Sequence, residues 1–108
     1  MSNHKPFREM RLHLTLVRGF VQLLLGIDFL EWKQTDYALF LVMSEMWDKT
    51  INPTYPQMIG ILVAWMRFYQ RLIDRLPDGE LKDVSQAEWH KACDQYAPEL
   101  AMGKEVVK

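Results

Sequence analysis

Between Pro6 and Ile27 the chain has little choice but to form a helix with an unusually wide apolar surface. At about 100° per residue, Phe7, Met10, Leu14, Val17, Val21 and Leu24 keep an unbroken heptad spacing. Leu12, Leu16, Phe20, Leu23 and Ile27 form a second row beside it. The two rows cover roughly 200° of the helix, more than the stripe of an ordinary surface helix. The expectation is a mostly buried helix packed on several sides. One narrow polar strip remains: Arg8, Arg11, Thr15, Arg18 and Gln22. The spacing fails at Asp28, and Gly26 just before it marks the end or a kink of the helix.

Three more helices follow on the same reasoning. After a short apolar corner at Phe29, Leu30 and Trp32, Thr35 or Asp36 caps a second helix running to about Lys49. Its apolar face is Leu39, Phe40, Met43, Met46 and Trp47, with Glu45 and Asp48 on the other side. Asn52-Pro53 signals a turn, and Thr54 with Gln57 has the form of a capping box, with Pro56 in the first turn. The third helix then reaches about Leu76, with half its circumference apolar. Its opposite arc holds Arg67, Arg71 and Arg75. Gly60 and Ala64 share that arc, so another group can approach the backbone closely there. Pro77-Asp78-Gly79 turns the chain. Ser85 with Glu88 reads as a second capping box, flanked by a Val84–Trp89 staple, opening a short helix from about Gln86 to Tyr96 that buries Trp89, Ala92, Cys93 and Tyr96 and is broken by Pro98.

No segment alternates with period two, and no hairpin dipeptide separates apolar runs. The fold class is therefore all-α: a compact bundle of four main helices whose short connections make sequential helices antiparallel neighbours. Its 108 residues suit one helical domain, with residues 1–5 and 101–108 loose. The longest apolar runs, near Met58 to Met66, are about half a membrane span. Arg18 and Gln22 interrupt the only stretch that mimics a signal peptide. A soluble, cytoplasmic chain without a membrane contact is expected.

Chemistry-bearing motifs are absent. A single cysteine, Cys93, permits no internal disulfide. His90 and Cys93 lie one turn apart, but no second ligand pair exists for zinc, and Cys93 falls on a buried arc unsuited to an activated thiol. His4 sits at the N-terminus, and His13 falls at the edge of the first helix's apolar arc. There is no glycine-rich phosphate loop, nucleophile elbow or paired carboxylate spacing. No catalytic residue, metal ligand or cofactor site is assigned, and an enzyme is not expected.

The arginines carry the functional signal. All six, Arg8, Arg11, Arg18, Arg67, Arg71 and Arg75, lie on the polar arcs of the two most apolar helices, while the lysines are scattered. A formal net charge of −1 excludes a generally basic nucleic-acid binder but leaves room for a local basic face. Arginine makes bidentate bonds to phosphate or carboxylate. Were the two strips to face the same side, they would form a basic track for a phosphate backbone, without base reading. The long link before the third helix and that helix's apolar start argue against a helix-turn-helix. Plainer roles stand beside this one: arginine stems cover apolar surface, and the strips can pair with Glu45 and Asp48 in the same chain.

The expected function is a non-enzymatic helical binding module, a subunit of a larger assembly. It docks to protein through exposed Met, Trp and Phe and meets nucleic-acid phosphates through the arginines. The alternative is a protein adaptor or inhibitor whose arginines pair with an acidic protein partner. Self-association through the apolar excess is a third option.

Overall fold

A computed structural model describes residues 4–95, with the side chains of residues 4–7 and of Cys93 outside that description. The readings of the C-terminal tail, of Pro98, and of the Phe7, Cys93 and Tyr96 side chains lie outside the described residues. The four helices are α1 (His4–Leu25), α2 (Gln34–Lys49), α3 (Tyr55–Arg75) and α4 (Glu80–Gln95), and among the described residues there is no strand.

α3 is the centre of the bundle, and its sequence explains why. Thr54 Oγ1 accepts the Gln57 N–H at 3.3 Å while Gln57 Oε1 accepts the Thr54 N–H at 2.8 Å, so two otherwise orphaned donors are satisfied at its start. Its apolar arc then buries Met58, Leu62, Trp65, Tyr69, Leu72 and Ile73, among others. Burial of each large side chain contributes about 1.5–3 kcal/mol. α1 supplies the other half of the core through Met10, Leu14, Val17, Val21 and Leu24, the first heptad row.

The second row behaves otherwise. Leu12, Leu16 and Leu23 are exposed, and Phe20 and Ile27 are only half-buried. The expectation that α1 is packed on several sides is corrected. Among the described residues α1 packs mainly against α3 and α2, and nothing there covers the side that carries Leu12, Leu16 and Leu23.

Contacts fix the directions. Phe20 stacks on Tyr69 at 5.9 Å, and Arg75 donates to the Glu31 carbonyl just beyond α1. The C-terminal ends of α1 and α3 therefore lie together, and the two core helices are parallel. α2 descends beside them, with Asp36 near Arg75 and Asp48 near Arg18. On the other side, the Trp89 indole donates to the Met66 carbonyl at 2.9 Å and the Tyr69 hydroxyl to the Ser85 carbonyl at 3.3 Å, so α4 also runs antiparallel to α3. Burial raises the Tyr69 phenol above its ordinary value. Each sequential pair is antiparallel, as the short connections required.

α4 corrects a second expectation. It starts at Glu80, not near Gln86, so Ser85 is a buried position inside the helix and Val84 is exposed. The Ser85–Glu88 box and its staple do not form. Gly79, at φ 155°, leads out of the turn, and its carbonyl accepts the Asp83 N–H at 3.0 Å. Glu80 and Asp83 then place negative charge in the first turn, where the helix dipole favours it.

The corner between α1 and α2 is built on Trp32. Its indole donates to the Leu24 carbonyl at 2.8 Å, and Phe29 meets it edge-on at 4.8 Å, while Leu30 points into solvent at 96% exposure.

Two measurements check this division of the core. In urea denaturation, Leu72→Ala costs about 2–5 kcal/mol, the range for a fully enclosed leucine. Leu41→Ala, on the outer side of α2, changes stability by less than about 0.5 kcal/mol. His13, half-buried against α4, gives a pH test. Burial lowers its pKa from 6.5, and nearby Glu88 opposes the shift. The unfolded chain then takes up a proton before the folded one does. The stability this contributes is fully present above the unfolded value and is lost as pH falls from about 6.5 towards the folded value. His13→Gln removes this part of the slope from a plot of urea midpoint against pH.

Candidate docking surface

Three of the six arginines contact α2 or the corner that precedes it. α2 lies across the groove between α1 and α3, and the arginine sets reach it from both flanking helices. Arg18 Nη1 donates to Asp48 Oδ1 at 2.8 Å, and the Arg11 guanidinium sits 5.4 Å from the Trp47 ring centre. Arg75 grips the other end of α2 in a bidentate pair with Asp36, at 2.7 and 2.8 Å, and lies 5.1 Å from the Trp32 ring centre. Arg8 and Arg67 are exposed. Arg71 is exposed too, 5.9 Å from the Phe68 ring centre. Half of the strip residues thus hold the bundle's own second helix, the self-pairing that Asp48 suggested.

Asp36 is the hub of that attachment. It occupies the third position of α2 rather than the cap, and its Oδ2 also accepts the Lys33 N–H at 2.7 Å. The hydrogen bonds from Arg75 hold the Asp36 carboxyl below its ordinary value, burial works against them, and the Lys33 amide adds to them. The same bonds raise Arg75.

α2 needs these clips because it is poorly buried. Nine of its sixteen residues are apolar, yet none is buried. Phe40 meets Trp65 edge-on at 5.9 Å, and Leu39, Met43 and Trp47 are half-buried. Leu41, Val42 and Met46 are more than half exposed. The run Leu39 to Met43 is apolar at five successive positions, which winds around the whole helix, so one neighbour can never cover it. That signal is in the sequence, but the expected face of Leu39, Phe40, Met43, Met46 and Trp47 leaves out Leu41 and Val42.

The C-terminal half of α2 stands off from α3 and leaves a groove of about 360 Å³. Met43, Met46 and Trp47 form one wall, and Gly60, Ile61 and Ala64 form the other. Thr50 and Gln57 are the polar groups at its edge. A Cβ built on Gly60 meets nothing within 4 Å, so the space over this small-residue pair is open. A second cleft of about 290 Å³, between α1 and α2, contains both Arg11 and Asp48 and has no single charge preference.

Among the described residues no group of three or more His, Cys, Asp or Glu could hold a metal ion, and no helix is long and apolar enough to cross a membrane. The surface beside α2 presents exposed apolar side chains and the exposed guanidinium groups of Arg67 and Arg71.

The Asp36 attachment is open to direct test. Asp36→Asn keeps an acceptor for the Lys33 amide and removes the charge that Arg75 grips. It costs about 2 kcal/mol, the scale of hydrogen bonds to a charged group, and raises α2 amide exchange roughly 30-fold with α3 much less affected. In the parent chain this contribution is fully present above the unfolded carboxyl value of 3.8 and is lost as pH falls through the lower folded value.

No family model, curated protein or solved structure matches this chain.

Proposed function

We propose that this chain is a non-enzymatic helical docking module that binds a protein partner through α2 and the surfaces beside it. The observation that carries this reading is α2 itself: an apolar helix with no buried residue, held on by arginine clips at both ends. Folding of the chain alone leaves Leu41, Val42 and Met46 in water, and Leu12, Leu16 and Leu23 on α1 as well. Large apolar side chains left exposed side by side, as Leu41 and Val42 are, are characteristic of interaction sites, and methionine and tryptophan are enriched in them. The exposed arginines supply the acidic-partner contact of an adaptor. A phosphate track has less to draw on, because Arg11, Arg18 and Arg75 are committed to α2 and its corner.

Site-specific photo-crosslinking in the native cell is the test. A photoreactive residue at Leu41 is expected to capture one discrete protein, while the same residue at exposed Lys91 on α4 captures none. Anisotropy titration with mixed-sequence DNA and RNA is expected to show no salt-sensitive binding. Binding that falls steeply with salt and disappears in Arg67→Glu/Arg71→Glu would instead place the chain on a nucleic-acid backbone.

A further inference from the structure

We infer that the groove between α2 and α3 is the seat of an acidic amphipathic helix, whose apolar anchors enter between the Met43–Met46–Trp47 wall and the Gly60–Ala64 wall while its carboxylates meet Arg67 and Arg71. The inference rests on the docking reading above and names the site and the chemistry of its ligand.

Shape comes first. Gly60 and Ala64 are one turn apart on the outer arc of α3, so the backbone there is bare enough for another helix to lie close. Facing them, Met43 and Met46 are flexible thioethers that adapt to bulky anchors, and Trp47 is a large, half-buried aromatic wall. A volume of about 360 Å³ accepts two or three large apolar side chains and does not accept a folded domain. An amphipathic helix presents its anchors at such spacing, i, i+3 or i+4, and i+7.

Charge decides which amphipathic helix. The arc that carries Gly60 and Ala64 continues along α3 to Arg67 and Arg71, both exposed, at the i+7 and i+11 positions from Gly60. At 1.5 Å per residue they stand about 10 and 16 Å further along the axis. A helix lying along the groove therefore passes from apolar walls onto two arginine forks within two to three turns. Asp or Glu one to three turns from the anchors is satisfied there, and Lys or Arg is repelled. Asp74 lies on the same side but is engaged by the Gln70 amide at 2.6 Å.

The experiment is a selection with the full 108-residue chain as bait and a displayed library of roughly 20-residue helical peptides, long enough to hold helical structure. Gly60→Leu is the blocked control. Its side chain enters open space and replaces the poorest non-proline helix former, so its melting temperature is expected to be no lower than the parent's. Ala64→Phe blocks the groove independently should Gly60→Leu fail to fold.

Enriched peptides are expected to carry large apolar residues at i and i+4 with Asp or Glu one to three turns away. Their affinity is expected to fall at least tenfold in either blocked variant, about tenfold in Arg67→Glu/Arg71→Glu, and little in Leu41→Asp/Val42→Asp. Peptides that bind the blocked variants equally well overturn the groove and leave the docking reading standing. Enrichment of neutral or basic peptides overturns the charge assignment and with it the proposal. No enrichment over empty beads overturns the groove proposal, while the docking reading stands or falls with capture at Leu41. Sedimentation of the parent as a dimer and of Gly60→Leu as a monomer would give the groove to a second copy of this chain and overturn the proposal as well.

Discussion

The Arg75–Asp36 pair is the contact on which the placement of α2, and with it the groove, depends. A single carboxylate receives the amide of Lys33, at the cap of α2, and both arms of a guanidinium from α3, and the same guanidinium covers the Trp32 ring at the corner. Three parts of the chain meet at one ionic contact: the end of α3, the start of α2 and the turn leaving α1. Both side chains are partly shielded, at 29% and 13% exposure, so the pair escapes much of the screening that makes surface ion pairs weak. Breaking it releases α2 at its N-terminal end, where little apolar burial would hold it.

This gives the bundle two grades of cohesion. α1 and α3 join through a continuous apolar seam, and α4 closes it with Trp89 and Ala92 and with the Ser85 carbonyl that accepts from the Tyr69 hydroxyl. α2 is secured differently, by directional polar contacts near its ends and by the half-buried Leu39, Phe40, Met43 and Trp47, of which Phe40 meets Trp65 edge-on. Elements with little buried apolar area open at low free energy. The helix that forms one wall of the groove is thus also the helix held by the least apolar burial.

Much of this could be read from the residues because local signals and the global fold agreed. The Thr54–Gln57 box, the half-apolar circumference of α3 and the first heptad row of α1 each had one interpretation, and the bundle uses all three. The α4 start misled because two valid signals competed. A capping box at Ser85 and a Pro77-Asp78-Gly79 turn both open helices, and the earlier one prevailed since nothing between Glu80 and Val84 opposes helix. The second row of α1 misled for another reason: apolarity marks what can be buried, while the number of neighbouring helices sets what is. The destinations of Arg11, Arg18 and Arg75 were beyond periodicity altogether. They depend on the rotation of each helix about its axis, which appears only once the helices are packed. Gly60 with Ala64 was visible as a place of close approach, and the groove lies there.

The ion pair also stands at the two helix ends where the backbone itself favours each charge. Arg75 is the last residue of α3, beside carbonyls whose partial charge is negative, and Asp36 lies in the first turn of α2, beside amides whose partial charge is positive. The attraction between the side chains and the attraction of each to its own helix terminus therefore point the same way. Exchanging the two charges would preserve the salt bridge on paper and set both residues against the field of their own helices. The contact has a polarity as well as a geometry.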